Sequence, residues 1–444
     1  MFDKHESLLY FARIFIEKII HMIIDNAAHS NAKNAITTTV LVAALGYFVD
    51  VYDLVLFLII GVKSIKGIGF QENIITEFQS LLDIQMIGML VGGVFWGILG
   101  DKKGRLSVLF GSIIMYSLAN IANGFVDVFH DKDQAFLAYG ILRFIAGFGL
   151  AGELGAGITL VSEVMSKEKR GYGTMIVASV GVTGAIVAAL IGKFLSWQVA
   201  YFIGGGLGLS LLLLRIGVFE SGMFENSKKE NIRHGNFFDL FKNKKIALKY
   251  LYCILIGSPI WFVIGILIGR APEFAAEMGL AGKAVLEREY SIMFCYTGLV
   301  FGDIASGGLS QLLKSRKKAF YIFYTFCIGV ILVYLNLSNA TAVMYYIMIT
   351  LLGFSVGFWA MFVTVASEQF GTNLRSTTAT TVPNFVRGSL VIIAMLFDYL
   401  RGPEKLGSLT AAGLLVSVLL FTISFWAISQ LPETFGKDLD YVEE

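Results

Sequence analysis

Charge is scarce in this chain. Asp, Glu, Lys and Arg make up 15% of its 444 residues, where a soluble domain carries about a quarter. Cysteine is scarcer still: Cys253, Cys295 and Cys327 all sit inside apolar runs, without the spacing of a disulfide framework or a metal site. Five histidines are scattered, three of them (His5, His21, His29) within the first 30 residues. No nucleophile triad, metal cluster or phosphate-cradling glycine loop is present, which argues against an enzyme, and no metal, cofactor or nucleic-acid partner is expected. Proline numbers only five, against 48 glycines and 37 phenylalanines. Glycine at that frequency suits helices packed closely in a bilayer, because a missing side chain lets backbones approach.

What fills the chain is apolar sequence: 56% of residues are hydrophobic and the mean hydropathy is +0.72. A spanning helix needs about twenty mostly apolar residues. Such stretches lie at 36–60, 82–101, 104–124, 136–162, 172–194, 198–218, 248–269, 289–313, 318–337, 342–366, 377–400 and 408–430. The fold class read from them is an all-α integral membrane protein of twelve transmembrane helices in two pseudo-symmetric six-helix bundles. Residues 8–24 are apolar too, but Arg13, Glu17, Lys18 and His21 interrupt them. Each charge costs roughly 2.5–3.5 kcal/mol at the bilayer centre, so an amphipathic helix on the membrane surface is expected there, with no cleavable signal peptide.

Most of the Lys and Arg fall on one side of the membrane if both termini are placed in the cytoplasm, with Lys242, Lys244 and Lys245 in the central loop. That asymmetry satisfies the positive-inside rule. The chain divides into an N-terminal cytoplasmic amphipathic segment (1–35), a six-helix bundle (36–218), a cytoplasmic linker (219–247), a second bundle (248–430) and a cytoplasmic tail (431–444). The halves repeat: Glu163 and Arg170 end the fourth span, Glu368 and Arg375 end the tenth, and both residues recur after the same 205 positions. Parallel six-helix repeats place a substrate site at the interface between halves.

The loop Gly97-Ile98-Leu99-Gly100-Asp101-Lys102-Lys103-Gly104-Arg105 resembles the G-x-L-x-D-R-x-G-R-R signature of the major facilitator superfamily. Its second copy carries Gln311 in place of the aspartate. Arg143-Phe-Ile-Ala-Gly147-Phe-Gly149 resembles the R-F-x-x-G-x-G of the fourth helix in that superfamily. Trp197-Gln198 looks like the W-R entering helix six, and Phe219-Glu220-Ser221 echoes P-E-S without its proline. Pro432-Glu433-Thr434-Phe435-Gly436 closely resembles P-E-T-x-G. Together these are similar to the sugar, aromatic-acid and organic-ion porters, and helix five (181–192) lacks the Gly-Pro pair of drug/proton antiporters. The resemblance implies alternating access, with Gly97, Asp101, Gly104 and Arg105, and the pairs Glu163/Arg170 and Glu368/Arg375, acting as gates.

Two carboxylates in the first span, Asp50 and Asp53, stand three residues apart and share a helix face. An intramembrane carboxylate is costly and is expected to face a cavity or a partner. The pair resembles the D-x-x-D of aromatic-acid/proton symporters, and Tyr52-Asp53 the Y-D of proton-coupled sugar porters. That resemblance pairs Asp53, or else Asp50, with Arg143 as the proton-coupling site, Asp53 being preferred. Glu153, in GLAGELGAG, resembles the G-G-E-L of organic-ion porters and is a further titrating candidate.

For substrate binding, Arg387 offers a fork suited to a carboxylate or phosphate. Asn384 shares its face, and Tyr52, Trp261 and Trp359 are candidate cavity walls. The function expected is proton symport of a small polar or anionic metabolite, a carboxylate or a carboxylate-type metal chelate such as a siderophore among them. Proton-driven export and sugar symport are the alternatives. A monomer in a bacterial inner membrane is expected.

Overall fold

The structure is a computed structural model that describes residues 31–165, 170–220, 237–280, 287–338, 340–371 and 373–437. The expected amphipathic segment, up to residue 30, most of the linker and the last seven residues of the tail lie outside the described residues. Every regular element among the described residues is helical, and twelve helices are long and apolar enough to cross a membrane. The first six are Thr38–Gly67, Ile74–Gly100, Ser107–Val128, Lys132–Ile158, Tyr172–Phe194 and Trp197–Ile216. The second six are Lys244–Ile268, Arg288–Leu312, Arg316–Leu335, Ala342–Glu368, Thr377–Leu400 and Leu409–Gln430. Being even in number, the spans begin and end on one face, called here the terminus side.

Glycine sets the closest helix contacts, and it does so twice. In the first half a Cβ on Gly88 or Gly92 of the second span would run into the Phe144 or Phe148 carbonyl of the fourth. In the second half Gly298 and Gly302 of the eighth span meet the Thr350 and Phe354 carbonyls of the tenth in the same way. Contacts of backbone on backbone replace hydrophobic burial as the cohesive force in a lipid solvent.

Several spans depart from the straight helices that hydropathy describes. The first helix runs on to Gly67, carrying Lys63 to the far side, where its ammonium pairs with Glu289 at 2.7 Å and donates to the Gly192 carbonyl at 2.9 Å. Pro259 lies inside the seventh span and has no N–H for the Leu255 carbonyl. That oxygen accepts instead from Ser258 and from Ser424 of the twelfth span, each at 2.9 Å. The span then unwinds into a π-helical turn, Val263–Ile268. The fourth span breaks between Leu150 and Glu153, and the tenth between Ser355 and Trp359.

The two halves meet along paired spans. The second packs on the eleventh and the fifth on the eighth. Near the terminus side Gly97 lies against Thr377 and Gly155 against Thr380, and Thr364 donates to Thr174 at 3.0 Å. On the far side Lys63 and Lys193 of the first half pair with Glu289 and Glu287 of the second. The bundle is therefore closed at both ends.

Candidate functional site

Asp50 and Asp53 are both buried on one face of the first span, yet they serve different neighbourhoods. Asp50, fully buried, reaches across to the second half: its Oδ2 accepts from Arg387 Nη2 at 3.5 Å. Asp53 stays within the first half, facing Arg143 and Asn120 beyond direct hydrogen-bond geometry. Arg143 is held by neutral groups, donating to Asn120 Oδ1 at 2.8 Å and Gln85 Oε1 at 3.3 Å. The rings of Tyr201 and Phe57 flank its guanidinium at 5.0 and 5.4 Å. Such stacking suits a weakly hydrated cation in an apolar setting.

Glu153 belongs to a different pair. It binds Arg215 of the sixth span through both oxygens, and each side chain is 1% exposed. Gly46 makes room for the pair, since a Cβ there would strike both side chains. Arg215 reads in the sequence as a loop-flanking positive charge; only the packing turns it inward.

The second half supplies the other side of the site. Arg387, 1% exposed, also donates to Asn384 Oδ1 at 3.4 Å and lies 5.4 Å from the Trp359 ring. Asn384 ties the halves together: its Nδ2 donates at 2.8 Å to the Ala151 carbonyl, at the break in the fourth span. Tyr47, Trp261, Tyr296, Trp359 and Arg387 line a cavity of about 20 Å³ between the halves. That volume holds about one water. The indole N–H groups of Trp261 and Trp359 and the Arg387 Nε–H are buried there with no hydrogen-bond partner among the described residues. Tyr52 is placed elsewhere, its hydroxyl bound to the Ala200 carbonyl at 3.0 Å.

The gating candidates are partly described. Gly104, at φ 85°, is the single residue between helices Ile74–Lys103 and Arg105–Asn123, a conformation that glycine adopts without strain. The side chains of Asp101, Arg105, Glu163 and Arg170 lie outside what the structure describes. Glu368 pairs with Arg316 at 3.2 Å and accepts from Thr434 at 2.8 Å, while Arg375 is buried at the start of the eleventh span. The P-E-T segment pins this end of the second half. Glu433 accepts from the Ser315 hydroxyl and the Arg316 amide at the start of the ninth span. Burial pushes the Glu433 carboxyl up, but these bonds, with those from the Phe435 and Lys317 amides, hold it below the usual carboxylate range.

Asp303 was not singled out from the sequence, although the rule that finds Asp50, a carboxylate inside an apolar span, applies equally to it. It is fully buried in the eighth span and accepts from the Ala360 amide at 2.9 Å. Among the described residues no cluster of His, Cys, Asp and Glu could hold a metal ion.

Comparison with known proteins assigns this architecture. The profile of the Major Facilitator Superfamily matches residues 36–395. A Bacillus subtilis (strain 168) protein named as a candidate niacin/nicotinamide transporter is 25% identical over 413 residues, covering 90% of this chain and 96% of its own length. The cis,cis-muconate transport protein of Acinetobacter baylyi is 23% identical, covering 90% and 94%. Among solved structures, the proton:xylose symporter XylE bound to 6-bromo-6-deoxy-D-glucose matches with a TM-score of 0.69 at 13% identity, covering 92% of this chain and 98% of that one. The chain is a multi-pass membrane transporter of the major facilitator superfamily, and not an enzyme.

Proposed function

We propose that this transporter carries a small planar organic acid by proton symport, with Arg387 as the anion site and Asp50 as the coupled carboxyl. The observation that carries the reading is the buried Arg387 guanidinium paired with Asp50 across the two halves, beside two indole N–H groups that have no hydrogen-bond partner among the described residues. A site crowded with donors and walled by aromatic rings suits a flat ligand rich in acceptors. Relatives are named as a candidate niacin/nicotinamide transporter and a cis,cis-muconate transport protein, and niacin and muconate are unsaturated acids of that shape.

Coupling follows from charge balance. A buried charge must be paired, and Arg387 can neutralise either Asp50 or a substrate carboxylate. An anion that takes Arg387 would leave Asp50 as an uncompensated buried charge, unless a proton arrives with it. One proton per monoanion keeps the site neutral, so a carboxylate and a proton travel together. The cavity of about 20 Å³ is too small for such a substrate, so the halves must separate to admit it and close again around it. Asp53 and Arg143 lie within the first half and take no part in this exchange. The chain works as a monomer in a bacterial inner membrane with both termini cytoplasmic, which makes the terminus side the inner one.

The test is uptake into proteoliposomes under an imposed pH gradient, acid outside. Nicotinate accumulates, xylose does not, and dissipating the gradient collapses the accumulation. Uphill uptake of a sugar, or acid transport indifferent to the gradient, would sink the proposal.

A further inference from the structure

The tenth span stops at Ser355 and restarts at Trp359, and the restarted helix Trp359–Glu368 opens on Phe358, whose side chain caps nothing. The first amides of a helix have no partner within it and need an acceptor from outside. Here the acceptor comes from another span. Gly302 of the eighth span lies against Gly357 backbone to backbone, and that approach brings the next residue, Asp303, to the restarted helix. Asp303 Oδ1 accepts from the Ala360 amide at 2.9 Å. A carboxylate at a helix N-terminus is favoured by the amide dipoles as well as by the bond itself. The residue before Ala360 is Trp359, whose ring lies 5.4 Å from the Arg387 guanidinium and lines the central cavity.

We propose that Asp303 is a positioning residue for the substrate site: by capping the Trp359–Glu368 helix from the eighth span, it holds the Trp359 indole against Arg387. The inference rests on the reading of that cavity as the substrate site. It assigns to Asp303 the work of a hydrogen-bond acceptor, in contrast to the proton-carrying role that an intramembrane carboxylate invites. Asparagine separates the two, because it keeps an acceptor oxygen and cannot exchange a proton.

Two readouts test it. The emission difference between each protein and its Trp359→Phe counterpart isolates that indole among five tryptophans. Asp303→Ala moves this difference spectrum to longer wavelength, and Asp303→Asn leaves it in place. In uptake assays Asp303→Ala raises KM about tenfold with Vmax near the parent value, and Asp303→Asn keeps the parent KM and pH profile. Should the alanine variant fail to assemble, Asp303→Ser shortens the side chain away from Ala360 and serves the same comparison. An unshifted spectrum in the shortened variants overturns the inference, as does an asparagine variant that loses gradient-driven uptake. Because the fluorescence needs no substrate, a shift without any transport of planar acids would remove the functional reading and leave the cap standing.

Discussion

Asp50 and Asp53 show how one helical turn separates two chemistries. Three residues apart, they look equivalent in sequence, and the resemblance to proton-coupled porters favours Asp53. Only Asp50 touches the other half, through Arg387 at 3.5 Å, so only its charge is exposed to competition from a bound anion. Asp50→Asn should lose about tenfold in accumulation per unit of imposed pH gradient while retaining substrate exchange, since a tenfold proton ratio, about 1.4 kcal/mol, can drive a tenfold substrate ratio when one proton moves per substrate. Counterflow and uphill uptake measured on the same vesicles check it; uphill uptake equal to the parent would return the coupling role to Asp53. Glu153 carries a related lesson. Its intramembrane position was legible in the sequence, but its partner was not. Arg215 is 62 residues away and reaches it because the sixth span packs on the first, where Gly46 leaves room for the pair.

At the scale of the element, the helices are governed by what their backbones can approach. Gly298 admits the Thr350 carbonyl, whereas Gly329 has nothing within 4 Å of where a Cβ would stand. Gly298→Ala should therefore cost about 1–3 kcal/mol through overpacking, while Gly329→Ala should stay within about 0.5 kcal/mol of the parent or stabilise its helix. Thermal unfolding of the purified protein in detergent measures both, and equal melting temperatures for the two variants would contradict the packing account. The same elements explain why hydropathy described straight helices where the structure has breaks. A window average cannot see that Leu150–Glu153 and Ser355–Trp359 unwind, because residues on both sides are equally apolar. Their loose ends are met from elsewhere, by Asn384 at Ala151 and by Asp303 at Ala360.

For the whole molecule, the question is what keeps two six-helix halves closed at both ends. On the far side the closure is ionic: Lys63 with Glu289, and Lys193 with Glu287 and the Tyr290 ring. These pairs are partly exposed, and each contributes about 0.2–1 kcal/mol after screening. Removing both lysine charges, as Lys63→Met with Lys193→Met, should shift the closed-to-open balance by up to about thirtyfold. A cysteine placed at Tyr47, in the central cavity, would then be alkylated faster by a membrane-impermeant thiol reagent from the far side. An unchanged rate would mean that helix packing alone holds that end. The terminus side is closed by a different chemistry, with Gly97 on Thr377 and Gly155 on Thr380. Thr364 and Asn384 add hydrogen bonds across the same contact.

The sequence alone determined the number of spans, their grouping into repeated halves and the superfamily. Those properties are local: hydropathy, helical period and short motifs are complete within twenty residues or fewer. The tertiary structure decided which charge meets which. Asp50 and Arg387 are 337 residues apart, and Asp303 finds Ala360 only across a glycine contact between two spans. Pairing inside a bilayer depends on which helix faces are pressed together, a long-range outcome of backbone packing that no window of sequence contains.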